Sequence, residues 1–567
     1  MEQPLKSNAV AESPARRHWL PHLSLGYPDD HLPRLELPRE PQRPVTVRWL
    51  LAGYLGALAL AGLCGWLHGR GRAYVAGNMG AVWMLPFLVM LVSMAALPFV
   101  ARRWWERFYG VVAVGLAAVV ALYYALAVGH CAELYKAAGA FISFLFIIGA
   151  LYIIASGMLV RLHLRATPLN NVLLLAGGAL LGNIIGTTGA SVLLIRPYLQ
   201  MNGARARGYH VVFFIFLVSV LGGFLLPLGP PLFLAYFMGV PFWWFARHCW
   251  AEYAVTTGLV LAIFFAIDFL ASRKLRRATV EDQAAGAGVP NVDAGITAHK
   301  PIAAPRRVMV LGLGNLACVG LVGVALFLPA GWREGLIATA ALVALLATPP
   351  VIHHINRFHF SLLKELGILY LGIFITMAPA LHLLHQTARQ PVARRVLATP
   401  GANYFASGAL AGILDNAPTY LAFLQIVQGR VSRHLLIAAD ARLHVARGVP
   451  RGGMGVRGRR VPGAARVASA YRRYFPGVVA GGHVDPGKLS VAALLTLRRY
   501  RIYFIAISLG SVFFGALTYI GNAPNYLVKG IAEKADVNCP SFLGYIWRYA
   551  LPALLPVLAV VWWIFLR

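Results

Sequence analysis

Residues 517–528 read LTYIGNAPNYLV, with Gly521, Asn522, Pro524 and Asn525 standing where the apolar run Ile505–Ala516 ought to continue as a helix. Pro lacks a backbone donor and Gly permits dihedrals that a helix does not use, so the segment is expected to unwind. An unwound turn in hydrocarbon leaves N–H and C=O groups without partners. It persists only where protein, water or a bound ion satisfies them. The reading of this stretch decides the fold, because three others resemble it: GNIIGTTGAS (182–191), GGFLLPLGPPLF (222–233) and LDNAPTY (414–420).

The 567-residue chain around these breaks is 59% hydrophobic with mean hydropathy +0.66, too apolar for a soluble multidomain protein. Crossing about 30 Å of hydrocarbon takes roughly 18 or more apolar residues, and about eleven runs qualify. They centre on 49–67, 79–100, 109–128, 138–160, 210–245, 252–272, 308–329, 335–350, 366–386, 502–528 and 542–566. Two more, 169–195 and 404–428, are interrupted by polar residues and suit hairpins that enter and leave on one side. The expected fold is therefore an all-α polytopic membrane protein, with about eleven transmembrane helices in two inverted repeats, each holding a re-entrant hairpin and an interrupted helix.

The chain divides accordingly. Residues 1–48 read as a flexible cytosolic tail, 49–272 as the first repeat with hairpin 169–195, 273–307 as a cytosolic linker, and 308–567 as the second repeat with hairpin 404–428. Segment 441–484 is anomalous, with nine Arg and no Lys, Asp or Glu, and no apolar period. Two readings stay open for it: a genuine basic loop, or a stretch translated in a shifted frame from a GC-rich gene.

The formal charge of +31 comes from Arg and Lys scattered among short loops. It points to topology and anionic lipid rather than nucleic acid. Positive-inside bookkeeping places the N-terminus in the cytoplasm, with Arg102, Arg103, Arg107, Arg161, Arg165, Arg196, Arg205 and Arg207 in inside loops. The five single cysteines show neither a disulfide framework nor zinc spacing. Gly312-Leu-Gly314-Asn-Leu-Ala317 imitates a dinucleotide fingerprint but lies in an apolar run, where helix packing explains it. His353/His354 and His382/His385 lie near span ends, where pH sensing competes with an interfacial role.

The breaks offer neutral oxygens to a cation. The first hairpin supplies Asn183, Thr187, Thr188 and Ser191; the second supplies Asp415, Asn416 and Thr419; the late break supplies Thr518, Asn522 and Asn525. Asp415 is the only acidic residue in either hairpin. A carboxylate within a membrane segment costs at least about 2.5 kcal/mol on insertion scales and marks function by default, although a structural cap on the hairpin turn would also explain it. Asp268, followed by Ser272, Arg273 and Lys274, reads as an interfacial ion-pair partner. Sodium would sit at Asp415, Asn416 and Asn522.

NIIGTTGASVLLIRP (183–197), VVFFIFLVSVLGG (211–223), PLGPPLF (227–233), LDNAPTYLAFL (414–424) and YIGNAPNYLVKGIAEK (519–534) together resemble the bacterial citrate-transporter-like, sodium:proton antiporter family of the ion-transporter superfamily. The resemblance covers most of 79–566. It implies two re-entrant hairpins and two unwound helices around a central site, sodium or proton coupling without a further cofactor, a homodimer, and a multi-pass location in the bacterial inner membrane. Val220, Leu226 and the missing Asp in PLGPPLF depart from the family pattern. The leading expectation is a sodium/proton antiporter working by alternating access. The alternative is sodium- or proton-coupled citrate or carboxylate transport. An integral membrane enzyme is disfavoured, since no cluster of acids or histidines gathers at one face. The expected partners are the lipid bilayer and a small inorganic cation or carboxylate.

Overall fold

The apolar runs fold as helices whose own ladders satisfy their backbone groups. The computed structural model describes residues 81–567 apart from 129–131, 163, 285–307, 357, 359, 388–394, 446–460 and 477–483. The expected tail, the span 49–67 and most of the linker lie outside the described residues. Helices α1 (Leu85–Val100), α2 (Arg102–Tyr123) and α3 (Ala132–Ser156) open the first set. They are followed by strand β1 (Leu159–Leu162), then by the pair α4 (Pro168–Ile185) and α5 (Thr187–Asn202). An interrupted element comes next, with α6 (Gly208–Phe214) running on into π-helical and 3-10 turns, an unwound stretch, and α7 (Pro230–Phe237). Helix α8 (Trp250–Ala284) closes the set and carries helix into the expected linker.

The second set again has helices, a pair and an interrupted element, but its strand comes first and three further helices follow its pair. Strand β2 (Val308–Leu311), α9 (Asn315–Ala325), α10 (Trp332–Ala347) and α11 (Phe360–Thr387) lead to the pair α12 (Pro400–Ile413) and α13 (Asn416–Gly429). Then come α14 (Arg433–Val445), α15 (Ala464–Tyr474) and α16 (Pro486–Thr496). The interrupted element is α17 (Arg498–Phe513) and α18 (Ala523–Glu533), and α19 (Leu555–Phe565) ends the chain's final apolar helix.

Among the described residues, six helices are long and apolar enough to cross a membrane: Arg103–Leu126, Ala132–Ser156, Pro168–Ile185, Trp250–Lys274, Leu363–Leu384 and Phe542–Phe565. The protein is thus an all-α, multi-pass membrane protein. Several expected spans are shorter than the apolar runs suggested. The run 210–245 unwinds between Gly223 and Pro230, and 308–329 is helical only from Asn315 to Ala325.

Both pairs begin on the same local sequence, ATPLNN (166–171) and ATPGAN (398–403). Thr167 Oγ1 accepts from Asn170 N at 3.2 Å and Thr399 Oγ1 from Ala402 N at 3.1 Å. Pro168 and Pro400 occupy the first helical position, where a missing N–H costs nothing. The Asn that ends each motif is buried and ties the base of its pair. Asn171 Nδ2 reaches Asn202 Oδ1 and Asp268 Oδ2, both at 2.9 Å, and Asn403 Nδ2 reaches the carbonyls of Leu397 and Thr399 at 2.7 and 2.8 Å.

Three sequence expectations need correction. Asp268 does form an ion pair, but with Arg205 at 3.1 Å and not with the basic residues that follow it, and it is fully buried: its Oδ1 also accepts from Tyr209 Oη at 2.7 Å, because α6 and the base of α5 fold over it. A strand does precede the Gly312 motif, since β1 and β2 pair antiparallel from Leu159↔Leu311 to Leu162↔Val308. With only those two strands in that sheet there is no parallel βαβ unit to hold a dinucleotide. The Arg-rich segment does contain an apolar period: Ala464, Val467, Ala468 and Tyr471 of α15 are buried at helical spacing against α14 and α16. At 11 residues it is too short to span.

Helices α12 and α17 pack with their backbones in close approach. A Cβ on Gly510 would stand 2.3 Å from Ser407 Oγ and 2.4 Å from the Tyr404 carbonyl oxygen, whereas one on Gly115 would meet nothing within 4 Å. Gly510→Ala should cost about 1–3 kcal/mol and lower Tm by several degrees when unfolding is followed by tryptophan fluorescence in detergent. Gly115→Ala should not. Equal Tm values would mean that these helices do not pack this closely.

Candidate functional site

In each set the first helix of the pair packs against the interrupted element. Two glycines six residues apart hold each unwound stretch. A Cβ on Gly229 would lie 3.1 Å from the Gly223 carbonyl oxygen, and one on Gly521 would lie 2.6 Å from that of Gly515. Any larger residue would push the strands of the loop apart.

The polar side chains beside these loops divide into two kinds. Some are engaged with backbone. Asn183 Oδ1 accepts from Leu225 N at 2.7 Å. Thr518 Oγ1 accepts from Gly521 N at 3.1 Å and donates to the Gly412 carbonyl at 2.6 Å. Asn525 Nδ2 donates to the carbonyls of Gly515 and Thr518, at 2.9 and 3.0 Å. Thr419 Oγ1 donates to the Asp415 carbonyl at 3.0 Å. These bonds replace the helical ladder where it is broken.

The others face open volume or lack a partner. Thr188, Asp415 and Asn522 line a cavity of about 900 Å³. Asn522 Nδ2 donates to the Ser219 carbonyl at 2.7 Å, and Ser219 Oγ meets Ser191 Oγ at 2.8 Å, so the second loop is tied across to the first set. Thr187 Oγ1, Asn416 Oδ1 and Asn525 Oδ1 are buried with no hydrogen-bond partner. Orphaned acceptors of this kind suit a cation. Asn416 does not line the cavity; it packs toward Gly515.

Asp415 combines both roles weighed for it. It is the N-cap of α13, with Oδ1 accepting from Ala417 N at 3.2 Å. Its other oxygen, Oδ2, accepts a hydrogen bond from Tyr370 Oη at the cavity wall. Tyr370 comes from the middle of α11 and packs against Phe144, with ring centroids 4.7 Å apart and planes inclined at 45°.

From Thr188 the cavity follows one face of α5 through Val192 to Arg196 and Gly203, and one face of α18 from Ala523 to Lys534. Arg196 lies roughly 12 Å along the helix from Thr188 at 1.5 Å per residue. Its guanidinium donates to the Asn356 carbonyl at 3.0 Å. Glu106, Ser361, Glu365 and Lys534 are exposed at the end away from Asp415. Arg196 therefore belongs to the cavity and not to a loop, contrary to the positive-inside count.

Sequence reasoning missed Tyr370, Arg196 and Ser219. Arg196 carried a readable signal, since 188, 192 and 196 share a helical face. Tyr370 and Ser219 gave none within their apolar runs. The first unwound stretch, Phe224–Gly229, contains no polar side chain; Leu226 stands where Thr518 stands in the second. The two histidine pairs lie elsewhere: His353 Nδ1 meets Ser156 Oγ at 3.0 Å and His382 Nδ1 meets Glu133 at 3.4 Å.

Two broken helix pairs, two unwound helices and a polar-bottomed cavity within a multi-pass bundle define a membrane transporter. The chain belongs to the family described as "Putative citrate transport", whose model matches residues 76–566. No curated protein and no solved structure matches it.

The division of polar groups has a testable consequence. Asn525→Ala strips the Gly515 and Thr518 carbonyls of their donor and should cost about 2–6 kcal/mol, taking about 1–3 for each group left unsatisfied. Thr188→Val should leave Tm within error. A Thr188→Val loss as large as that of Asn525→Ala would contradict the division.

Proposed function

We propose that the protein is a cation-coupled secondary transporter of a carboxylate, with Asp415 as the coupling site. The observation that carries this reading is the joint presence, in one cavity, of the Asp415 carboxylate held by Tyr370 and two cations, Arg196 and Lys534, along walls that also carry the exposed carboxylates of Glu106 and Glu365. A volume of about 900 Å³ falls in the range of roughly 300–1,000 Å³ typical of small-molecule sites, far beyond what a bare cation needs. An anion drawn in by Arg196 and Lys534 would be held short of Asp415 by like charge. A cation bound at Asp415, with neutral oxygens from Asn522 and Thr188 in reach of the same volume, removes that repulsion. Binding of the two is then mutually dependent, which is what coupling requires.

The matched ATPxxN starts, glycine pairs and unwound elements support reading the two sets as inverted repeats, and the two pairs as re-entrant hairpins. The cavity runs to the base of α5, where Arg205 and Arg207 lie. Positive-inside reasoning makes this face cytoplasmic and the structure an inward-open state. Alternating access would close this path and open one toward the base of the second pair.

One observation favours a second reading, sodium/proton exchange. Asp415 is buried with its carboxylate against Tyr370 at the cavity wall, and a carboxylate that alternates between a proton and sodium is sufficient for antiport without any anion.

The two readings separate in proteoliposomes. Labelled citrate should accumulate when sodium or a proton gradient is applied. Arg196→Gln should raise its KM about tenfold or more, the scale of one lost charge-assisted contact. Asp415→Asn should abolish accumulation. Sodium-evoked proton movement without citrate uptake would favour exchange, and full activity of Asp415→Asn in both assays would remove Asp415 from either mechanism.

A further inference from the structure

At the base of the second pair lies a separate pocket of about 640 Å³, lined by Gly429, Arg430, Val431, Ser432, Arg433, His434, Arg499, Tyr500 and Tyr503. Three arginines and a histidine face it, and no acidic side chain does. The nearest acid in sequence is Asp440, farther along α14, and residues 441–484 hold no Asp or Glu.

Two helices begin at this pocket, and both break the usual charge rule. The positive end of a helix dipole favours acidic residues in the first turn. Helix α14 instead starts with Arg433 and His434, and α17 starts with Arg498, Arg499 and Arg501; neither has an acid in its first turn. Leu497, the N-cap of α17, offers no side-chain acceptor to the free N–H groups. Cations at two helix starts repel both the dipoles and one another. A local conflict of this kind in an otherwise consistent fold points to a function.

The cations are also pre-oriented. Arg430 stacks over the Tyr503 ring at 4.6 Å while donating to the Leu397 carbonyl, and Arg499 stacks over Tyr500 at 4.8 Å. Tyr500 Oη in turn accepts from Ser432 N at 3.3 Å. Guanidinium groups fixed on aromatic faces lose little freedom when they bind an oxyanion.

We infer that this pocket binds a phosphate group, and that its source is the headgroup of an anionic phospholipid. A phosphate takes paired N–H donors from Arg433 and Arg499 and lies at the helix starts, offsetting the repulsion described above. Two tyrosines flank it, as they do at membrane interfaces. The site is distinct from the Asp415 cavity, with which it shares no lining residue.

The test uses the full-length protein in detergent and compares wild type with Arg433→Gln/Arg499→Gln, two exposed positions whose loss leaves Arg430 and its backbone bond in place. Phosphatidylglycerol, phosphatidylcholine and inorganic phosphate are titrated separately, and binding is read by native mass spectrometry and by Tm. Phosphatidylglycerol should raise Tm and bind with at least about tenfold preference over phosphatidylcholine. The double variant should lose that preference while its Tm in phosphatidylcholine equals or exceeds that of wild type, since the repulsion at the two helix starts is relieved. Saturable binding of inorganic phosphate alone, lost in the variant, would support phosphate recognition but place its source in solution. Equal binding of all probes, or a preference unchanged in the variant, would overturn the site.

Discussion

A broken helix inside hydrocarbon must recover its backbone hydrogen bonds from something other than its own ladder, and the central part of this protein is arranged around that requirement. The glycine pairs Gly223/Gly229 and Gly515/Gly521 let each loop fold on itself without a side chain between. Asn183, Thr518 and Asn525 then donate to or accept from the backbone groups released. These bonds fix where the pairs and the interrupted helices can meet. What this satisfaction leaves is Asp415, which faces the cavity beside Tyr370, and the orphaned oxygens of Thr187 and Asn416, which are buried away from it.

The two sets share this construction and differ in charge. The second presents Asp415 at the tip of its pair and Asn522 in its loop; the first presents Thr188 and a loop of Phe, Leu and Pro. The loops are joined where Asn522 reaches the Ser219 carbonyl and Ser219 meets Ser191. Movement of the second loop on binding a cation would thus pull directly on α5, whose cavity face carries Arg196. That linkage gives a physical route from the cation to the anion path. It depends on a chain of contacts rather than on proximity alone.

Much of this was legible in the sequence. Gly, Pro or both, set beside polar residues in apolar runs, marked all four breaks, because together they weaken the helical ladder and offer it other partners. Thr188, Asp415 and Asn522 were picked out by polarity and do line one cavity. The polar filter failed in both directions, however. It could not tell that Thr518 and Asn525 are engaged with the backbone, since that depends on the loop's path. Nor could it find Tyr370, whose hydroxyl reaches Asp415 only because α11 packs beside the second pair. Asp268 looked interfacial from its basic neighbours in sequence, yet its partners Arg205 and Tyr209 come from another element. The repeated ATPLNN and ATPGAN were readable without any structure and gave the sharpest mark of where each pair begins.

The central claim is that Asp415 binds the coupling cation and that cation and carboxylate depend on each other. Isothermal titration of the purified protein with sodium, in the absence and presence of citrate and in two buffers of different ionisation enthalpy, measures affinity, coupling and proton release together. The account predicts sodium binding that tightens with citrate and disappears in Asp415→Asn, with proton release in place of the citrate effect marking simple exchange. Sodium binding of equal strength in Asp415→Asn, or binding indifferent to citrate, would contradict it.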